Sequence, residues 1–139
     1  MHYAIGVGAN LGDREATFSR VRALFMAHDQ VVLIAVSTPI MSAPMGGPRG
    51  QEWFLNAVWI ISSELGPHSL LQVLQQIETA CGRSRTVHWG PRLVDLDLLA
   101  RADGLRVESP VLTLPHPRMA ERPFVMSPLK ELRLRRHWF

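Results

Sequence analysis

Apolar residues dominate the opening run His2 to Ala9, which predicts a first strand. Asn10 to Asp13 reads as a turn, and Asp13 can cap a helix over Arg14 to His28 whose Phe18, Val21, Leu24 and Phe25 recur at helical spacing. A second strand is expected at Val31 to Ser37. Between residues 39 and 50, Pro39, Pro44, Gly46, Gly47, Pro48 and Gly50 rule out regular structure and predict a long surface loop. Trp53 to Ser63 reads as a strand. Pro67 then starts a helix with Leu70, Val73, Leu74, Ile77 and Cys81 along one stripe, ended by Gly82. Arg83 to Arg92 is a charged loop, Leu93 to Ala100 a strand, and Asp103-Gly104 a tight hairpin return into Leu105 to Glu108. Pro115, Pro117, Pro123 and Pro128 divide the remainder into short pieces, with at most a turn or two of helix near Arg118 to Arg122 and after Pro128. The order strand, helix, strand, strand, helix, strand predicts an α+β fold with a ferredoxin-like core, a mostly antiparallel sheet flanked by helices.

A chain of 139 residues, 47% hydrophobic, supports one core, so residues 1 to 139 are expected to form a single domain. Cys81 is the only cysteine, which excludes an internal disulfide and a cysteine zinc cluster and fits a reducing cytoplasm. The opening run lacks a basic flank, and no stretch approaches the ~20 apolar residues of a membrane span, so a soluble, unexported protein is expected. The net charge of +3 resides in the last ten residues, where Lys130, Arg133, Arg135 and Arg136 face only Glu131. The rest of the chain sums to neutral, which argues against a general nucleic-acid surface.

Asp95 and Asp97 are two apart in the expected strand, so both carboxylates project to one side. Leu93 and Leu99 share that side, so the acids interrupt an apolar face, where they would repel each other unless a cation neutralised them. Hard oxygen donors favour Mg²⁺, which takes one or two carboxylates and completes its shell with water and phosphate oxygens. The six histidines offer no zinc spacing. Arg83, Arg85 and Arg92 bring guanidinium groups to the same region, and acids beside arginines are the equipment of phosphoryl transfer. No Walker loop is present. The stretch Gly6-Val7-Gly8-Ala9-Asn10-Leu11-Gly12 misses the dinucleotide-binding spacing and reads as a turn built on glycine.

The segment Arg83-Ser-Arg-Thr-Val-His-Trp89-Gly90-Pro91-Arg92-Leu-Val-Asp95-Leu-Asp97 resembles the signature of the 6-hydroxymethyl-7,8-dihydropterin pyrophosphokinases. Three further stretches are similar to motifs of that family: Gly8 to Arg14, Phe54 to Val58, and Leu114 to Met119. The resemblance implies transfer of pyrophosphate from ATP to the pterin's hydroxymethyl oxygen, a step of folate biosynthesis. It assigns two Mg²⁺ ions to Asp95 and Asp97, and the transferred phosphates to Arg83 and Arg92. Arg85 and Trp89 would belong to a loop closing over ATP. Gln75, Glu78, Thr113, His116 and Arg122 match nucleotide-contacting positions. Phe54 and Phe124 would sandwich the pterin, Asn56 would bond its amide edge, and Ser42, Pro44 and Met45 would line the same pocket. From the residues alone, core packing is the favoured reading of both Phe54 and Phe124.

Three positions depart from the family pattern. Ala9 replaces a serine, Val111 stands where some members carry an arginine on the nucleotide side, and a basic tail follows Leu132 where the family continues through another segment. A ferredoxin-like nucleic-acid module leaves the two aspartates unexplained, and a Mg²⁺-dependent phosphohydrolase lacks an evident base to activate water. The expected partners are therefore ATP and the pterin, with no nucleic acid or membrane, acting on a monomer.

Overall fold

A computed structural model describes residues 1–10, 12–43, 52–82 and 94–135. In chain order the elements are β1 (His2–Ala9), α1 (Arg14–Ala27), β2 (Val32–Val36), β3 (Ile40–Ser42), β4 (Phe54–Ser62), α2 (Pro67–Ala80), β5 (Asp95–Arg101), β6 (Val107–Glu108), β7 (Thr113–Leu114), a 3-10 turn (Met119–Glu121) and α3 (Pro123–Leu134). The main sheet has the order β2-β4-β1-β5, with β3 added beside β4, and its pairs are antiparallel. Each strand-helix-strand unit is therefore split by a strand from the other unit, which is the expected ferredoxin-like arrangement.

The alternation of strand side chains gives the sheet two unlike faces. Tyr3, Ile5 and Val7 of β1, Ala57, Trp59 and Ile61 of β4, and Leu96 and Leu98 of β5 form one core with α1 and α2. Trp59 anchors that core through edge-on contacts with Phe18 and Phe25, at centroid distances of 6.0 and 5.8 Å. Asp13 starts α1 as its composition suggests, its Oδ1 accepting the Ala16 N–H at 3.0 Å. On the opposite face Ala4, Val58, Ile60 and Leu99 pack beneath Val125, Leu129 and Leu132 of α3. That helix covers one end of the face and leaves the other end to polar residues.

Three expectations need correction. The proline- and glycine-rich stretch is not wholly irregular, because Ile40–Ser42 pairs with β4 before Pro44 is reached. The Asp103-Gly104 turn forms, with Gly104 at φ +77 and its N–H donated to the Arg101 carbonyl, but the chain does not return along β5. Val107–Glu108 pairs with Thr113–Leu114 in a separate small sheet. Groups other than a strand occupy the free edge of β5: a Glu78 carboxyl oxygen accepts the Leu96 N–H, and the His116 N–H donates to the Leu99 carbonyl. The third correction is α3, which runs 12 residues with Pro128 inside it. An interior proline costs about 3 kcal/mol, yet Val125, Leu129 and Leu132 all bury against the sheet, and that burial outweighs the local penalty.

Candidate functional site

The end of the second face that α3 does not cover, the candidate groove, is built by register. Gly8 of β1 lies opposite Asp95 of β5 on one side and Asn56 of β4 on the other, while Gly6 lies between Asp97 and Val58. One row across the sheet thus reads Asp95, Gly8, Asn56, Ile40, with the acids on the edge strand and the amide two strands away. Asp95 is half-buried and Asp97 exposed, and Leu99, which follows them on the same face, is buried. The acids therefore border the apolar part of the face at Leu99, while Leu93, the other residue of the expected apolar face, lies outside the described residues.

Asn56 is 7% exposed and its Nδ2 donates to Ser42 Oγ at 2.6 Å, tying β4 to β3. Phe54, half-buried, precedes it on the same face. At the start of α3, Phe124 is half-buried and the Arg122 guanidinium stands 5.8 Å from its ring centroid, within cation–π range. Phe54 and Asn56 thus stand together on β4, two strands from the acids, and Phe124 opens α3 beside Arg122.

His116 comes up on the acid side. Burial holds its imidazole below the ordinary histidine value, the Asp97 charge opposes that shift, and Arg122 and Arg118 reinforce it. Its Nδ1 accepts the Arg118 N–H at 3.3 Å, which places the ring proton of the neutral form on Nε2. Gln75 is exposed on α2 and Thr113 on β7, two elements that both pack against β5. Glu78 is buried, and it reaches β5 rather than solvent. Pro44, Met45, Arg83, Arg85, Trp89 and Arg92 lie outside the described residues.

The expected strand His2 to Ala9 forms and contains Gly6 and Gly8, so reading the same stretch as a turn built on glycine holds only from Asn10 onward. What sequence reasoning missed is that these two glycines face the acids and Asn56. The signal was present in the alternation, since Tyr3, Ile5, Val7 and Ala9 take the core side and leave positions 6 and 8 to the other. Glycine inside a strand marks a place where something approaches the backbone closely.

The donor chemistry fits a hard divalent cation. Asp95 and Asp97 offer carboxylate oxygens on one face, and among the described residues no group of three or more His, Cys, Asp or Glu converges to make an all-protein cage. Such a pair suits Mg²⁺, which keeps water and substrate oxygens in its shell.

Residues 4–134 match the model of the 7,8-dihydro-6-hydroxymethylpterin-pyrophosphokinase family. The chain belongs to this family. Over 128 residues, 92% of this chain, it is 42% identical to the 2-amino-4-hydroxy-6-hydroxymethyldihydropteridine pyrophosphokinase of Bacillus subtilis, covering 75% of that protein. It is 41% identical to the protein of the same name from Methylorubrum extorquens, covering 80% of it, and 37% identical to that of Pseudomonas aeruginosa, covering 78%.

Proposed function

We propose that this face of the sheet is where pyrophosphate passes from ATP to 6-hydroxymethyl-7,8-dihydropterin, giving AMP and the pterin diphosphate in folate biosynthesis. The observation that carries the reading is the row Asp95, Gly8, Asn56. Adjacent strands lie about 4.8 Å apart, so the acid and the amide stand roughly 10 Å from each other across a strand without side chains at that position. A fused two-ring heterocycle with a one-carbon arm spans that gap, its amide edge at Asn56 and its hydroxyl at the acids.

Asp95 and Asp97 would hold two Mg²⁺ ions. When bound, the metal neutralises polyphosphate charge and lowers the pKa of the acceptor hydroxyl. Phe54 and Phe124 stack the ring, Ser42 holds Asn56 in orientation, and Pro44 and Met45 complete the pterin pocket. Arg83 and Arg92 bind the phosphates as bidentate donors, and Arg85 and Trp89 close over the nucleotide. Gln75, Thr113, His116 and Arg122 contact ATP from the β5 side, with neutral His116 able to donate from Nε2. The hydroxymethyl oxygen attacks the β-phosphorus, the bond from that phosphorus to the oxygen bridging it to the α-phosphorus breaks, and AMP leaves with the bridging oxygen. The acceptor's proton is released.

We further take the chain to act as one unit, a cytoplasmic monomer on small molecules, consistent with a free, buried Cys81 and with no described helix long and apolar enough to cross a membrane. The deciding experiment measures AMP release from ATP by purified protein, with and without hydroxymethyl-dihydropterin. Release that requires both the pterin and Mg²⁺ is the expected result. Release that ignores the pterin would overturn the reading.

A further inference from the structure

Glu78 is only 4% exposed, although its neighbours on the buried stripe of α2 are Val73, Leu74 and Ile77. A carboxyl group placed there loses its hydration and must recover it through hydrogen bonds. Its Oε2 accepts the Leu96 N–H at 2.8 Å. Leu96 lies between Asp95 and Asp97, on a strand that, among the described residues, has β1 on one side and no strand on the other. Without an acceptor from α2, that buried edge N–H would lose the partner it has here, and the short backbone segment carrying both acids would lose its lateral tie.

We infer that Glu78 is a positioning residue, which fixes the backbone between the two metal-ligating aspartates and so sets the spacing of their carboxylates. α2 is a firm base for this, since Leu70, Val73, Leu74 and Ile77 lock it to the sheet. A shift or rotation of the chain at Leu96 reorients the side chains before and after it relative to each other. Glu78 thereby controls metal affinity without touching the metal. The inference rests on the assignment of Asp95 and Asp97 proposed above.

Two substitutions separate this from alternatives. Glu78→Met keeps length and removes the acceptor, whereas Glu78→Gln keeps an acceptor oxygen at the same reach. In protein free of metal and nucleotide, the Leu96 amide should exchange its hydrogen markedly faster in the Met variant and near the wild-type rate in the Gln variant. The Mg²⁺ concentration for half-maximal binding of a nonhydrolysable ATP analogue should rise on the order of tenfold in the Met variant and much less in the Gln variant. The pterin KM should change little in either. Unchanged Leu96 exchange in the Met variant would overturn the inference. So would a Gln variant as impaired as Met, or equal losses in Mg²⁺ and pterin affinity, which indicate general loosening. If Met fails to fold, the Gln variant alone still decides, because a role as a charged contact predicts that it loses Mg²⁺-dependent binding with Leu96 exchange unchanged, and that result also overturns the inference. Wild-type protein without pterin-dependent AMP release would refute the proposed function while leaving the exchange result standing.

Discussion

A β-carbon on Gly8 would stand 3.3 Å from Asn56 Oδ1 and 3.6 Å from the Phe54 ring. The bare backbone at position 8 therefore seats the amide that faces the groove. At Gly6 the nearest described atoms are ordinary contacts, the Leu99 methyls at 3.6 Å and Asp97 Cβ at 3.7 Å, so the fold itself tolerates a methyl there. Gly8→Ala should displace Asn56 and raise the pterin KM several-fold. Gly6→Ala should fold with equal or greater stability, by up to ~1 kcal/mol from reduced chain entropy, yet turn over more slowly because its methyl enters the groove beside Asp97. Melting temperature together with KM and kcat for both variants checks the pair, and a Gly8→Ala enzyme with unaltered KM would remove the glycine from the site.

Asp97 is exposed, so its removal costs little packing. Asp97→Ala should retain the melting temperature and lose turnover by about 100-fold or more, at least ~2.7 kcal/mol of transition-state stabilisation. Steady-state AMP production at saturating Mg²⁺ is the measurement, and wild-type rates would dismiss the acid as a metal ligand.

Phe54 and Phe124 are both half-buried, a state compatible with core or with platform. Truncation distinguishes the two. Phe54→Ala should raise the pterin KM by about tenfold, ~1.4 kcal/mol, as loss of a stacking ring implies, with a smaller effect on the KM for ATP. Equal effects on both substrates, with a lowered melting temperature, would assign the ring to packing.

The elements that carry strong periodicity, β1, α1, β4 and α2, were legible within a residue or two, because each buries one face and its pattern records that burial. The aspartate pair was legible for the same reason, since Asp95, Asp97 and Leu99 share a face by alternation. What escaped depended on partners distant in sequence. Pro128 reads as a breaker until Val125, Leu129 and Leu132 find Ala4, Val58 and Ile60 on the sheet. The hairpin after Asp103-Gly104 fails because Glu78 and His116 already bond the β5 edge, a competition no local pattern shows. Gly6 and Gly8 fall inside the expected strand, but glycine carries no hydropathy signal that marks position 8 as the seat of Asn56.

Cys81 supplies a pH test independent of the site. Its side chain is 2% exposed at the end of α2, and burial holds the thiol above its ordinary value, with Glu78 adding to the shift and Arg20 opposing it. A raised thiol favours the neutral form in the fold, so its stabilising contribution is full below the ordinary value of 9.0. As pH rises past that value the unfolded chain releases the proton and the native one retains it, so stability declines until the native pKa is reached. One group supplies a slope of at most ~1.4 kcal/mol per pH unit. Urea unfolding of wild type and Cys81→Ala between pH 8 and pH 10.5 should therefore show a steeper alkaline loss for wild type. The variant's cavity shifts its curve by a constant and leaves the slope untouched. Parallel curves would mean that the native thiol ionises as readily as the unfolded one, and that the end of α2 admits water.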